Sequence, residues 1–579
     1  MNWVVFCPIL IPFATAIACL FVADRLGAQR FLSVLGAAGL LASAIVLMAT
    51  HANGEISPVN VAGWDAPYGI TLVADGFAAI MVLLNAICGF ACVVYGLGST
   101  DAVRERHGYH ICTHTLLAAV SGAFLAGDLF NLFVWFEVML ISSFVLITLG
   151  GTRGQLEGGI KYVTLNLISS TVFLCAVGLL YGVAGTLNMA DLGFKLRVYD
   201  NPGVMSAIAV LFVVCFGIKA GTFPFFFWLP ASYHTPPFAV SALFSGLLTK
   251  VGVYALVRVF TVVFGVGSDS VIAEVLIWTA GLTMVTGVLG AAAQFEVRRI
   301  LSFHIISQIG YMIMGLAVAA VALGKANVAE AAGLAADAAV MKAAATISIV
   351  GTVFYILHHI IVKTNLFLIA GIIHKLTGSN ELKSIGGLYK KHPMLGVLFL
   401  IPALSLSGIP ILSGFWSKLT LVRGGLEAET WGIVATSLCV SILTLYSMTK
   451  IWAEAFWKND PRSEEEQHAA IEAANNSEFG FKRRTRLVLM TAPAVVLACL
   501  TLVIGFGAGP AFELSERAAG QLLEPDEYIE AVLPPEYLAE LRELETAIRI
   551  ERGEITPKSW LDENATVSVD ADSIEEVSP

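Results

Sequence analysis

Gly217-Ile-Lys-Ala-Gly-Thr-Phe-Pro-Phe-Phe-Phe-Trp-Leu-Pro-Ala-Ser-Tyr-His-Thr-Pro-Pro-Phe238, continued to Lys250, is the stretch whose reading decides the fold. It sets Lys219 and Lys250 in apolar surroundings and breaks the backbone between them with Pro224, Pro230, Pro236 and Pro237. A cation in hydrocarbon costs several kcal/mol unless it faces a partner or a water-filled cavity. Non-helical backbone at that depth is tolerated only where protein or a cavity covers it. Broken helices that carry buried ionisable groups point to transport.

Composition agrees with a membrane setting. The 579 residues are 57% hydrophobic and only 13% charged, with mean hydropathy +0.79, too little polar surface for a soluble domain. Apolar runs of about 20 residues, enough to span about 30 Å of hydrocarbon, fall near 3–23, 30–50, 75–97, 110–127, 129–149, 160–184 and 204–222. Others fall near 238–263, 271–293, 299–322, 346–373, 394–421, 430–456 and 487–509. The expected fold is all-α, a polytopic bundle of about fourteen transmembrane helices. The net charge of −10 misleads, because residues 511–579 hold 18 Asp/Glu against 5 Lys/Arg. No Lys/Arg-rich patch with interleaved aromatics occurs, so no nucleic acid is expected as a partner. The nine cysteines lie almost all in apolar runs without metal-ligand spacing and read as small apolar filler. Residues 3–22 read as a retained first helix, since no positive n-region or cleavage site accompanies them.

Alternate loops differ sharply in Lys/Arg content. Arg25, Arg30, Arg104, Arg106, Arg153, Lys161, Arg298, Arg299 and the clusters at 375–391 and 458–486 make a set of 18, against 5 in the opposite set outside the tail. The positive-inside rule makes the first set cytoplasmic and puts both termini outside. Residues 51–74, rich in Gly and Pro, read as an external loop or small hairpin. Residues 323–345 fit either an external helical loop or an elongated next helix. Residues 459–486, acidic then basic, read as a cytoplasmic loop against lipid headgroups. The tail carries an amphipathic helix at 535–552 and a polar end expected to be disordered; it either docks on a neighbouring subunit or is solvated.

Glu137, in Phe-Val-Trp-Phe-Glu-Val-Met-Leu-Ile, sits mid-span and cannot reach water with a short side chain. With Lys219 it forms either a static buried pair or a switch that releases a proton when the partners separate. Lys250 and Lys363 are also mid-span, and His359 precedes Lys363 by one turn on the same face. Lys418 lies near a span end, where snorkelling is open to it. With His304 and His358 these groups read as a proton relay. Adjacent His358 and His359 point to different helix faces, so no metal site is expected. His234 reads as a cap of the broken segment or the lining of a polar cavity, and Asp128 as a helix N-cap. No Walker A loop, dinucleotide fingerprint or haem-attachment pair occurs, so no cofactor is expected. Residues 394–421, with Pro402, Pro410 and Lys418, echo 204–250, as two broken helices of an inverted-repeat transporter would.

These residues resemble the antiporter-like subunits shared by respiratory complex I, membrane-bound hydrogenases and multisubunit Mrp-type Na+/H+ antiporters, over roughly residues 70–460. The family pattern of Glu, Lys, Lys, His and Lys, and Lys falls on Glu137, Lys219, Lys250, His359, Lys363 and Lys418, and its Pro-rich segment on 223–241. Within it, Ala126-Gly-Asp-Leu-Phe-Asn-Leu-Phe-Val-Trp-Phe-Glu-Val-Met-Leu-Ile looks most like the D-type branch of the Mrp antiporters. The resemblance implies two inverted five-helix antiporter repeats over 108–263 and 264–456, preceded by helices 1–3 over 1–107 and followed by a cytoplasmic loop and last helix over 457–510; the acidic tail over 511–579, expected outside, departs from the usual shorter D-type chain. It implies a secondary transporter component of the bacterial inner membrane, working among other hydrophobic subunits in the lipid bilayer and exchanging H+ for Na+. Two alternatives stay open: a proton-pumping component of a redox-driven complex, and a scaffold whose sodium path lies elsewhere.

Overall fold

The computed structural model describes residues 3–475 and 481–552; the polar end of the tail lies outside the described residues. Among them, twelve helices are long and apolar enough to cross a membrane, and two shorter apolar helices, Tyr109–Leu125 and Pro393–Ser407, accompany them. Each expected span meets one of these helices, so the all-α bundle is observed and the count of fourteen is approximate.

Local chemistry explains many boundaries. Asp75, Asp101, Asp128, Asn188, Asn201 and Asp269 each accept a backbone N–H at a helix start, and Thr152 with Gln155 forms a reciprocal capping box before Arg153–Ala184. Gly221 and Gly408 take the left-handed conformation that ends Pro202–Ala220 and Pro393–Ser407. These two helix ends are the breaks anticipated around the prolines. After the second, the chain resumes as Ser413–Glu427.

Burial sorts the spans into layers. The most hydrophobic stretch of Phe238–Val263 is wholly buried, those of Val297–Ala331 and Ala335–Thr377 nearly so and that of Gly76–Ser99 mostly, while most of the remaining spans present half or more of theirs outward. Helices apolar all round and buried on every side are central. The central three carry Lys250, His304, His358, His359 and Lys363. Gly252 lies on the first of them, where a Cβ would stand 2.7 Å from the Ala220 nitrogen. That close approach sets the Lys250 helix backbone to backbone against the end of the Lys219 helix.

The loops segregate as their charges predict. At one end Arg30 pairs with Glu105, Arg298 donates to the Pro236 carbonyl, Lys375 to Ala474 and Arg486 to Gly98. At the other, Gln521 donates to the Gly54 carbonyl, Arg197 pairs with Asp526 and Arg552 donates to the Val198 carbonyl. Residues 51–74 hold the antiparallel hairpin Ser57–Asn60 and Thr71–Ala74. The ambiguous 323–345 resolves into elongated helices ending at Ala331 and resuming at Ala335.

Much of the described tail is not solvated, as one of its two readings had it, but folds back on the chain. Helices Ala508–Leu523, Asp526–Val532 and Pro535–Glu551 pack on the chain's own end, burying Tyr528, Ile529, Leu538 and Leu541. Gln521 accepts from the Gly76 N–H at 2.9 Å, and the Tyr537 hydroxyl donates to Asp191 at 3.2 Å. The acidic start of 459–486 likewise forms a helix, Glu464–Asn475, tied to Lys375.

Candidate functional site

At the first break, Lys219 lies in the last turn of Pro202–Ala220, where the negative helix end favours a cation. Its ammonium is 3.9 Å from Glu137, donates 2.9 Å to the Ser170 hydroxyl, and sits 5.0 Å above the Phe136 ring. Ser170 in turn donates to the Glu137 carboxylate. Glu137 is less buried than expected: its side chain is 29% exposed against 3% for Lys219. The pair therefore spans from the bundle's flank to its interior.

Lys250 is fully buried beside a π-helical turn, Phe244–Leu248, and donates to the Ser245 carbonyl within it. Such turns are frequent at functional sites. Lys363 donates 2.9 Å to the Leu301 carbonyl of the neighbouring long helix. His359 lies beside His358 and one turn before Lys363 on Ala335–Thr377, and neither of its buried ring nitrogens has a protein partner. Buried polar atoms are normally satisfied, so a ring bare at both nitrogens is free to accept on one side and donate on the other. Its ring stacks on Tyr355, which stacks on Tyr311 at 5.3 Å.

Lys418 does not snorkel. It turns inward from Ser413–Glu427, 7% exposed, to Ser441 at 3.0 Å and the Ser407 carbonyl at 3.4 Å, with its ammonium 4.6 Å over the Tyr311 ring. Ser407 ends the first half of the broken helix, so Lys418, like Lys219, faces a helix C-terminus. His358 bonds Ser413 at 2.8 Å and His304 bonds Ser447 at 2.5 Å. The structure thus brings Glu137 and Lys219 together at one break, Lys250, His359 and Lys363 into the centre, and Lys418 with Tyr311 at the other break.

His234 and Asp128 stand apart. His234 bonds the Pro230 carbonyl at 2.7 Å and meets Arg299 at 3.3 Å on the basic-loop end; burial holds its pKa down, at about 4. Asp128 caps its helix, accepting 2.7 Å from the Asn131 N–H, and burial pushes its carboxyl up to about 6.

Sequence reasoning missed three groups. Ser170 links Glu137 to Lys219. Asp75 and Arg258 form a buried bidentate pair at 2.5 and 2.8 Å under Tyr528 of the tail. Burial raises the Asp75 carboxyl and the Arg258 charge outweighs it, leaving the pKa below its ordinary value. Arg30, Glu105 and His110 cluster at the opposite end, the histidine 3.4 Å from the carboxylate. Arg258 is visible as a second charge in the apolar run of Lys250, but its nearness to a span end lets it pass for a snorkelling side chain.

Buried lysines on broken helices inside a many-span bundle define a membrane ion-translocating subunit as a class. Similarity to known proteins narrows it. The family model "NADH:quinone oxidoreductase/Mrp antiporter, TM" matches residues 126–329 and 334–444. The chain is 44% identical over 533 residues to the D subunit of the Na(+)/H(+) antiporter of Alkalihalophilus pseudofirmus and 39% identical over 534 residues to that of Bacillus subtilis, covering 92% of this chain and 100% of each relative. A chain in the structure of the Mrp complex from Dietzia sp. DQ12-45-1b superposes with a TM-score of 0.80 at 31% identity, over 92% of this chain and 100% of that one. The chain belongs to the NADH:quinone oxidoreductase/Mrp antiporter family, within it to the branch of the Mrp D subunits.

Proposed function

We propose that the chain is the proton-translocating component of a multisubunit Na+/H+ antiporter. The observation that carries this reading is the Glu137–Ser170–Lys219 link at a broken helix. A hydroxyl that accepts from an ammonium while donating to a carboxylate is a hydrogen-bonded route between two groups able to exchange a proton. From Lys219 the route continues through Lys250, His359 and Lys363 to Lys418, with His304 and His358 beside it. Residues 108–263 and 264–456 act as two inverted repeats, each contributing a half-channel at its break. The basic-loop end faces the cytoplasm, placing both termini and the tail outside a bacterial inner membrane. Na+ leaves the cytoplasm as external protons enter, in a complex with other hydrophobic subunits.

Lys219→Ala and Glu137→Ala are expected to abolish Na+/H+ exchange in vesicles while the complex still assembles; normal flux in either variant refutes the reading. Affinity purification with identification of partners and an absorbance spectrum separates the redox-driven alternative. Small hydrophobic partners in a colourless preparation support the antiporter, and flavin or iron–sulfur bands overturn it.

A further inference from the structure

A cavity of about 500 Å³ opens on the basic-loop end, between Leu388–Lys391, the helix Glu464–Asn475 and the start of Arg483–Phe506. Its wall carries Lys391, Arg462, Arg483 and Arg484 against one carboxylate, Asp460, which Arg462 already holds through two hydrogen bonds of 3.0 and 2.9 Å. Lys391 donates to neutral Gln467 at 2.8 Å, while Arg483 and Arg484 have no carboxylate partner among the described residues. The cavity is therefore strongly cationic. Its floor is apolar, made by Leu376, Leu388, Ile471 and Leu487.

Depth narrows the ligand. Arg483 opens a membrane-spanning helix and Lys391 lies two residues before the apolar helix Pro393–Ser407. The cations therefore stand where the chain crosses from water into hydrocarbon. Just below them on the same two helices, Val488 and Met394 are 59% and 69% exposed, as apolar side chains facing acyl chains are. Basic pockets between membrane helices hold anionic headgroups, and an apolar floor leading to a lipid-facing surface suits a diacyl lipid better than a soluble anion.

We propose that this cavity binds the headgroup of an anionic phospholipid of the leaflet on the basic-loop end, with its phosphodiester held by Lys391, Arg483 and Arg484. The site lies apart from the lysine series and does not depend on how that series works. Each basic residue near an anionic surface contributes about fivefold in occupancy, and three contribute about a hundredfold.

The test uses the assembled complex in phosphatidylcholine nanodiscs doped with a photoactivatable phosphatidylglycerol, with adducts mapped by mass spectrometry. Adducts are expected on residues 376–392 and 483–488. They should fall about a hundredfold in Lys391→Gln/Arg483→Gln/Arg484→Gln and persist in the charge-keeping Lys391→Arg/Arg483→Lys/Arg484→Lys. Equal labelling by a photoactivatable phosphatidylcholine, or undiminished labelling of the glutamine variant, overturns the proposal. So does protection by inorganic phosphate, which would assign the cavity to a soluble anion. Adducts that appear only after neighbouring subunits are stripped away assign the face to a protein partner and equally overturn it.

Discussion

Ser170→Ala removes a single hydroxyl and tests how Glu137 and Lys219 communicate. Their charged atoms are 3.9 Å apart, and at an effective dielectric of about 20 the direct attraction is about 4 kcal/mol. Neither charge is removed by the substitution, so this part survives. The hydroxyl contributes two hydrogen bonds to charged groups, each worth about 1.5–3 kcal/mol. One is accepted from the ammonium at 2.9 Å and the other is donated to the carboxylate. Losing the equivalent of one of them, about 2 kcal/mol, slows a step that runs along the bridge about thirtyfold. The assay is the initial rate of Na+-driven proton movement in everted vesicles lacking other antiporters, with assembly checked on native gels. Ser170→Thr keeps a hydroxyl at the same helix position and is expected to stay within about threefold of the parent. An alanine variant that assembles and transports within about twofold of the parent refutes the bridge, and the ion pair then works by direct contact.

Three further outcomes follow from the tail end of the bundle. Asp128 has its carboxyl raised to about 6 from 3.8 by burial, so its ionised form weighs against the fold above that pH, by about 3 kcal/mol at neutrality. This cost is absent below about pH 4. Asp128→Asn, which keeps the cap on Asn131, should raise the unfolding temperature at pH 7 and flatten its change between about pH 4 and 6; an unchanged pH profile counts against it. Arg258→Met strands the fully buried Asp75 and should cost about 3–5 kcal/mol, with Asp75→Asn in the same chain restoring much of the loss. Equal thermal stability of the single and double variants would show that the pair is not what holds this corner. Tyr537→Phe removes the 3.2 and 3.3 Å bonds to Asp191 at a cost of about 1 kcal/mol, and limited proteolysis within 535–551 should quicken about fivefold. An unaltered cleavage rate would place the tail's anchorage elsewhere, in Gln521 or Tyr528.

The spans were legible because a run of about 20 apolar residues has few other uses, and the lysines because each interrupts such a run. What stayed hidden is radial position. Leu129–Thr148 is apolar on all sides, so its sequence gives the depth of Glu137 but not that its helix face turns partly outward. Ser170 could not be singled out either. Serines such as Ser142 and Ser143 in the same kind of helix bond their own backbone, and only the packing of Arg153–Ala184 on Pro202–Ala220 gives Ser170 another role. Arg258 lies close enough to a span end to pass for a snorkelling side chain. The tail's apolar stripe was readable, but a stripe does not name the surface it meets, and here that surface is the chain's own hairpin and loops.

The partial exposure of Glu137 also bears on the life of the chain before assembly. On its helix the neighbouring outward side chains, Val134 and Ile141, are 41% and 66% exposed, so a lone copy in the bilayer sets a carboxylate beside a hydrocarbon-facing strip. An ionised group there carries a penalty of about 2.5–3.5 kcal/mol, which Lys219 and Ser170 offset from the interior side and which a covering polypeptide would lessen further. The carboxylate proposed for the transport path would thus sit less favourably in a lone copy than in an assembled one, and the amount of this chain in the membrane is expected to follow the supply of a covering subunit.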